Sequence, residues 1–249
     1  MSVSYGDSST MDDTPGTPAA RNEARALRQR LESLGAAGVT GLPKTGARPP
    51  RKRSEGVPTA PVSRESLLNL LRDEVAGCNR CAPLARTRTQ TVFGTGSPTA
   101  RLCFLGEAPG ADEDASGVPF VGRAGQLLTK IIEACTLRRE DVYILNVLKC
   151  RPPDNRTPLP EETANCRGYF ERQLEIIAPE FICCLGTTAA QALLQTEETI
   201  GRLRKTWFAW RSSQVICTYH PSYLLRNPAA KREVWDDMKL LMDRLGVKL

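Results

Sequence analysis

The sequence has only one histidine, His220, among its 249 residues, and several other features are also absent. No apolar run approaches the roughly 20 residues that a helix needs to cross a bilayer. The first residues are polar and acidic and lack an apolar h-region, so they do not predict a secretory signal. We therefore expect a cytoplasmic protein that has no membrane partner.

Two common nucleotide-binding motifs are absent as well. The segment 106–110 follows an apolar strand but lacks the G-x-G-x-x-G spacing, and no phosphate-binding loop with Gly-Lys-Ser/Thr occurs. These absences disfavour an oxidoreductase and an NTPase. The formal net charge of +6 fits either a polyanionic partner or a mildly basic soluble enzyme, and charge alone does not distinguish them.

Cysteine, in contrast, is plentiful. Nine cysteines without an export signal indicate a reducing compartment, where thiols serve as core residues or metal ligands. Five of them lie in apolar segments and are predicted to be core residues: Cys103, Cys135, Cys183, Cys184 and Cys217.

The other four cysteines lie in polar segments, which favours metal ligation over a place in the core. Cys78 and Cys81 form a C-x2-C pair, whose thiolates can converge on one metal centre. Cys150 and Cys166 flank a loop and the start of a helix, so they can reach the same place. Zinc and a [4Fe-4S] cluster both accept four thiolates, and the spacing does not separate them.

Composition divides the chain into two parts. Residues 1–62 are rich in Ser, Thr, Gly, Pro and Ala, which predicts a disordered extension with a marginal helix over Ala19–Leu34. The basic run at 49–53 is either a phosphate-attracting arm or a solubilising linker. Residues 63–249 are predicted to form one folded domain, and we expect a monomer.

Apolar strands and amphipathic helices alternate in the second part. This order predicts an α/β protein, a three-layer α/β/α sandwich around a central, mainly parallel four-stranded sheet. The predicted strands are Leu102–Leu105, Val142–Val147, Phe181–Leu185 and Val215–Thr218, and the predicted helices are Arg64–Val75 with Ser63 as N-cap, Arg123–Ala134, Glu161–Ile177, Thr187–Leu194 and Ala229–Leu245.

Three loops of unusual composition follow these strands, at 106–110, 146–153 and 220–226. In parallel sheets the ligand crevice lies at the carboxyl ends of the strands. All three loops lie at such ends, so the sequence predicts an active site there.

Four motifs in these regions occur in order: G-E-A-P-G-A-D-E-D from Gly106, G-V-P-F-V-G-R-A-G from Gly117, N-V-L-K-C-R-P-P-D-N-R from Asn146 and H-P-S-Y-L-L-R from His220. Together with the cysteine spacing they resemble the family 4 uracil-DNA glycosylases, from about Leu67 to the C-terminus. The resemblance implies a DNA repair enzyme that flips uracil out of DNA, hydrolyses its N-glycosidic bond and leaves an abasic site, as the first step of base excision repair. It also implies a largely structural [4Fe-4S] cluster on Cys78, Cys81, Cys150 and Cys166.

The resemblance further implies a uracil pocket, which the chemistry of the residues supports. Phe120 offers a flat face to the flipped base, and Asn146 can give the uracil edge a donor and an acceptor that cytosine would not match. His220 would hydrogen-bond uracil O2 as negative charge builds on the departing base. Alternatively, Phe120 is an ordinary core aromatic, Asn146 caps the end of a strand, and His220 is a histidine without a catalytic role. The implied pocket also includes Glu107, Ala108 and Glu113.

The water-positioning carboxylate of the best-known superfamily branch is absent, because Ala108 occupies its place. Its work passes to Glu107, Glu113 or Asn155, and the resemblance implies Glu107 and Asn155. The expected catalytic residues are therefore Glu107, Asn155 and His220. Glu113 and Asp114 are alternatively solvated loop acids.

The segment 220–226 resembles a loop that enters the DNA minor groove. Leu224 or Leu225 would act as an apolar wedge, Arg226 would meet phosphate, and Ser222 lies among them. The alternative is a simple lead-in to a helix.

Three rival functions stay open at this point. They are a catalytically silent iron–sulfur DNA-binding module, a zinc hydrolase acting on free dUMP, and a superfamily branch that becomes covalently trapped on its product. The trapped branch carries a histidine-containing basic loop after its G-E-x-P-G segment, which this chain lacks.

Overall fold

The computed structural model describes residues 18–36 and 63–248. Helix α1, Pro18–Ala36, confirms the helix predicted over Ala19–Leu34. It belongs to a different unit from the residues after 62. The basic run at 49–53 lies outside the described residues, and the division into two parts at residue 62 stays a prediction.

A six-stranded sheet forms the centre of the second unit. Its order is β1-β3-β2-β4-β6-β5; the four inner strands are parallel, and each outer strand is antiparallel to its neighbour. The predicted parallel set is confirmed, but the predicted count of four omits the two short edge strands. The strands are β1 Thr95–Gly96, β2 Leu102–Gly106, β3 Tyr143–Asn146, β4 Phe181–Leu185, β5 Phe208–Trp210 and β6 Ser213–Thr218.

Nine helices accompany this sheet within residues 63–248: α2 Arg64–Ala76, α3 Ala82–Thr87, α4 Ala111–Ser116, α5 Arg123–Ala134, α6 Pro160–Ile177, α7 Thr187–Leu194, α8 Ile200–Leu203, α9 Pro221–Arg226 and α10 Lys231–Leu245. The predicted N-cap is confirmed, because the Ser66 backbone N–H donates to Ser63 Oγ at 3.1 Å. Short 3₁₀ turns occur at Arg139–Asp141, Pro153–Asn155 and Pro228–Ala230. In the part of the chain described, no helix combines the length and apolarity that crossing a membrane requires.

Successive side chains of the inner strands face opposite layers, as a pleated sheet requires. Leu105 and Leu145 belong to one buried cluster, together with residues of α2, α6 and α7. Phe104 and Ile144 belong to a second cluster, with residues of α5 and α10. Both faces of the sheet are therefore covered, which confirms the three-layer sandwich.

A buried ion pair fixes the end of β6. Arg204 Nε donates to Asp237 Oδ2 at 2.7 Å, and Thr218 Oγ1 donates to the same oxygen at 2.6 Å. Asp237 lies on α10, so the last residue of β6 is tied to that helix. His220 follows two residues later, at the carboxyl edge of the sheet.

Candidate active site

A cavity of about 350 Å³ opens at the carboxyl ends of the parallel strands. Its walls come from the segments that follow β2, β3 and β6, and from the segment between α4 and α5. It therefore lies where the sequence predicted an active site. Eight residues proposed from the sequence line it: Glu107, Ala108, Glu113, Phe120, Asn146, Asn155, His220 and Ser222.

Phe120 and Asn146 meet above the backbone of Gly106. A Cβ atom on Gly106 would lie 2.4 Å from Asn146 Oδ1 and 2.4 Å from Phe120 Cζ. The backbone of Phe120 adopts φ 54°, in the left-handed region that few non-glycine residues enter. Such local strain persists where the surrounding structure holds it, often at functional sites. The ring position is thus set by the main chain as well as by packing.

Asn146 is buried at the end of β3, and its Oδ1 lacks a hydrogen-bond partner among the described residues. A buried acceptor without a donor is unfavourable by about 1–3 kcal/mol. A ligand that brings an N–H group into the cavity would relieve this penalty. The side chain therefore suits a planar ligand with an N–H on its edge.

His220 is held as a neutral hydrogen-bond donor. Burial lowers its pKa to about 4, the Arg226 charge adds to this effect, and Glu113 opposes it. The Ser222 backbone N–H donates to His220 Nδ1 at 3.1 Å, so Nε2 carries the proton of the neutral ring. The ring centroid lies 5.5 Å from that of Phe120, at an interplanar angle of 34°. A neutral N–H donor therefore stands next to the aromatic wall.

Glu113 is an organiser of the loops around the cavity. Its Oε1 accepts from the backbone N–H groups of Val121 and Gly122, each at 2.9 Å, and its Oε2 accepts from that of Gly110 at 3.0 Å. The alternative of a solvated loop acid is wrong for Glu113 and for Asp114, because both are buried. Backbone N–H groups take the place of water around these carboxylates.

Two further polar side chains of the cavity are oriented from outside it. Thr188 Oγ1, on α7, donates to Glu107 Oε2 at 2.7 Å. Arg151 Nε donates to Asn155 Oδ1 at 2.7 Å. Sequence reasoning missed Thr188, although its position directly after β4 places it at the same edge of the sheet.

The segment after His220 is a helix, not the loop expected from the sequence. His220 caps α9 and Pro221 occupies its first turn, where proline is well tolerated. Leu224 is 1% exposed and packs in the core with α5 and α10, which contradicts its expected role as a wedge. Leu225 is 39% exposed and Arg226 is also exposed, so both are accessible to a partner.

Of the four cysteines in the polar segments, Cys150 and Cys166 belong to the buried cluster that includes residues of α2 and α6, and Cys78 and Cys81 pack against it. Burial raises the pKa of the Cys150 thiol; a hydrogen bond from Arg88 opposes the shift, whereas charges on Cys78 and Cys81 add to it. Arg88 Nη1 lies 3.0 Å from Cys150 Sγ, and Asn165 Nδ2 lies 3.5 Å from Cys81 Sγ. Within the described residues, no group of three or more His, Cys, Asp or Glu side chains is placed to hold a single metal ion.

The five cysteines predicted to be core residues are all buried, which confirms that assignment: Cys103, Cys135, Cys183, Cys184 and Cys217. Their environment differs from that of the other four. Burial alone raises the pKa of Cys135 to about 11, for example, with no nearby donor to oppose it.

Comparison with known proteins finds one family model and several relatives that all carry the same family name. A model of the Uracil DNA glycosylase superfamily matches residues 93–239. The chain is 45% identical over 181 residues to a type-4 uracil-DNA glycosylase of Thermotoga maritima, covering 71% of this chain and 94% of that protein. It is also 45% identical over 192 residues to the type-4 uracil-DNA glycosylase of Archaeoglobus fulgidus, covering 74% and 96%. Identity to that of Saccharolobus solfataricus is 40% over 190 residues, covering 73% and 88%.

Proposed function

This chain belongs to the uracil-DNA glycosylase superfamily, and from that premise we propose that its cavity receives a uracil flipped out of DNA. The enzyme hydrolyses the bond between deoxyribose C1′ and uracil N1 and leaves an abasic site. The observation that carries this proposal is the convergence of Phe120, Asn146 and His220 on one cavity. A base inside a duplex is out of reach of such a cavity, so the nucleotide must leave the stack.

Base selection follows from the groups that line the cavity. Phe120 stacks on the flat face of the base. The Oδ1 of Asn146, which has no partner among the described residues, accepts from uracil N3–H, and the amide nitrogen donates to uracil O4. Cytosine presents an acceptor at N3 and an amine at C4, so it leaves both groups of Asn146 wrongly paired.

His220 acts on the charge that forms during bond cleavage. As the glycosidic bond breaks, its electron pair moves onto the uracil and O2 becomes more negative. A donor at Nε2 then binds more strongly than it does to the neutral base, which lowers the barrier. The low pKa, about 4, keeps the ring neutral, so it acts as a hydrogen-bond donor without carrying a charge.

Glu107 and Asn155 are the residues that orient the attacking water. Both line the cavity, and each is held by a hydrogen bond from outside it. Glu113 serves a different purpose, because backbone N–H groups occupy both of its oxygens. Of the three candidates for positioning the water, Glu113 instead holds the backbone around the cavity, which leaves Glu107 and Asn155.

DNA is bound by the exposed side of α9. Leu225 fills the gap left by the flipped base, and Arg226 meets a phosphate nearby. Ser222 lines the cavity beside His220, where it borders the deoxyribose. Exposure of Leu225 and burial of Leu224 support this choice of wedge.

The family resemblance implies a [4Fe-4S] cluster, and its four cysteines belong to or pack against one buried cluster of residues. Cys78, Cys81, Cys150 and Cys166 would hold it, and N–H donors of the kind that tune iron–sulfur centres already lie beside two of the sulfurs. The bound cluster would tie α2, α6 and the end of the β3 loop together. No step of the hydrolysis passes through it.

Single-turnover excision tests the function. Anaerobically purified full-length protein is mixed with short single-stranded and duplex DNA that contain one uracil, and matched DNA with cytosine serves as control. We expect alkali-sensitive strand breaks with uracil only, and a loss of at least about 10²-fold in rate for Asn146→Ala. Wild-type rate in Asn146→Ala would show that the pocket is assigned wrongly.

The same protein distinguishes the rival functions. Binding without base release would indicate a silent DNA-binding module, and hydrolysis of free dUMP in preference to DNA would indicate a nucleotide hydrolase. A protein–DNA adduct that survives denaturing electrophoresis would indicate the covalently trapped branch. Metal analysis that finds zinc without iron would refute the cluster while leaving the excision chemistry intact.

A further inference from the structure

Arg139 is a half-buried cation that does not line the cavity and that no step above uses. Its Nη2 donates to the Pro119 carbonyl oxygen at 2.7 Å, and its Nη1 donates to Thr129 Oγ1 at 3.0 Å. Hydrogen bonds from a charged donor are stronger than those between neutral groups. The guanidinium therefore holds the Pro119 carbonyl firmly in one orientation.

The residue after Pro119 is the one whose backbone is strained, with φ 54° at Phe120. Arg139 holds the peptide group before Phe120, through the Pro119 carbonyl. Glu113 holds the peptide group after it, because its Oε1 accepts from the Val121 N–H at 2.9 Å. The angles φ and ψ of Phe120 are the two rotations between these planar groups. Two side chains of opposite charge thus fix the backbone conformation of Phe120.

Helix α5 supports the same stretch of backbone from one side. A Cβ atom on Gly125 would collide with the main chain of Phe120, so the helix packs directly against it. Thr129 lies one turn further along α5 and accepts from the Arg139 guanidinium. Arg139 therefore ties the helix that touches Phe120 to the peptide that precedes it.

We propose that Arg139 is a positioning residue that holds the Phe120 ring in the orientation that stacks on a flipped base. The inference rests on the proposed function, because this orientation matters only if a base enters the cavity. A sparsely populated backbone conformation persists only where the surrounding contacts over-determine it. Without the Arg139 donor, the Pro119 carbonyl turns, the backbone of Phe120 relaxes towards a commoner region, and the ring leaves its place. Capture of the base then weakens.

Arg138 provides a matched control for this role. It carries the same side chain one residue earlier in the chain, and it is exposed. Its side-chain hydrogen bonds within the described residues go to Asp141. Arg138→Met therefore removes an equal charge from the same turn and leaves the Pro119 carbonyl held.

The first experiment measures how strongly each variant captures uracil. Binding is compared for two duplexes that carry 2′-fluoro-2′-deoxyuridine or thymidine at one position, since the fluorine slows base release and lets uracil bind without excision. We expect Arg139→Met to lower the ratio of the two affinities and to slow single-turnover excision about 10- to 10²-fold, because a small misplacement of a positioned group has effects of this size. Affinity for the thymidine duplex should not change, and Arg138→Met should keep both the ratio and the rate.

A double-mutant cycle separates positioning from general support of the fold. If Arg139 acts through Phe120, Arg139→Met should slow excision little further in a Phe120→Ala background, whereas independent losses would multiply. Full multiplication of the two losses would overturn the proposal. So would a wild-type rate and affinity ratio in Arg139→Met, or equal losses in Arg138→Met.

Arg139→Lys takes the place of Arg139→Met if the methionine variant does not fold. Lysine keeps the charge but lacks the planar fork that reaches both acceptors, so the affinity ratio should fall partway. A wild-type ratio in Arg139→Lys would equally overturn the proposal. Wild-type protein that excises no uracil, or Phe120→Ala protein with the wild-type rate, would instead refute the proposed function or its stacking wall, before any Arg139 variant is compared.

Discussion

The cavity and the cysteine site are stabilised in opposite ways. In the cavity, the protein's own backbone supplies hydrogen bonds to the ionisable side chains. Glu113 accepts three backbone N–H bonds, and the Ser222 N–H fixes the neutral tautomer of His220. At the cysteine site, burial raises the pKa of Cys150 and raises that of Cys166 to about 11. The polypeptide alone preorganises the cavity, whereas the proposed cluster would stabilise the cysteines by replacing their protons. Mutations should therefore affect folding at one site and chemistry at the other.

The largest effect is expected at the cysteine site. Cys150→Ala should abolish iron binding and most of the folded protein, because the free energy of cluster binding is part of the free energy of folding. Cys135→Ala is the matched control, since Cys135 is also buried but is not one of the four cysteines in the polar segments. Iron content and thermal unfolding measure both variants. Folded, iron-free Cys150→Ala protein of normal stability would remove the distinction between the two sites.

In the cavity, we expect a loss of rate without a loss of fold. His220→Ala should slow bond cleavage by about 10²–10³-fold, the typical effect of removing one donor to a developing anion. Its affinity for uracil-free duplex should stay nearly unchanged. Arg226→Ala should do the reverse, with weaker binding and a flatter salt dependence. Single-turnover rates and salt-titrated binding distinguish the two roles. If the His220→Ala enzyme binds DNA poorly but cleaves normally once bound, the histidine only supports the local structure.

Two adjacent leucines sharpen the comparison within one helix. Leu224→Ala should lower the free energy of unfolding by about 2–5 kcal/mol, as expected for a large-to-small change in a core. Leu225→Ala should change stability by less than about 0.5 kcal/mol but slow excision from duplex DNA, where a gap must be filled. Excision from single strands should be spared. Denaturant unfolding and excision assays on both variants test this. If Leu225→Ala destabilises the fold and Leu224→Ala mainly slows excision, the two roles are assigned the wrong way round.

The smallest effect concerns protonation, and the single histidine makes it measurable. Nuclear magnetic resonance of untagged protein should show one imidazole in the Nε2–H tautomer with a pKa of about 4, lowered from 6.5 by burial. The unfolded chain takes up this proton near pH 6.5 and the folded chain only near pH 4. His220 therefore reduces folding stability as the pH falls through that window. A pKa near 6.5 would mean that the ring is solvated and not preorganised.

Much of the architecture was predictable because its signals are local. The inner strands are continuous apolar runs, the long helices have an apolar face, and Ser63 marks the start of α2. The edge strands β1 and β5 carry no such signal, since they span two and three residues and depend on neighbours for pairing. Short antiparallel edges of this kind arise from tertiary contact rather than from sequence pattern.

The composition of the cavity was predictable from its motifs, but its supports were not. Thr188 acts through a hydrogen bond to Glu107, which is distant in sequence, and no spacing rule marks it. Burial of Leu224 beside exposed Leu225 also depends on how α9 packs on α5, which the sequence of the motif does not reveal.

Two glycines limit how the substrate range of this enzyme can evolve. A Cβ atom on Gly106 would strike Asn146 and Phe120, and one on Gly125 would lie 1.9 Å from the backbone of Phe120. Any larger residue at either position would have to displace main chain or the side chains of Asn146 and Phe120. The two glycines therefore hold these side chains in place, and a change of substrate range has to come from residues that line the cavity rather than from either glycine.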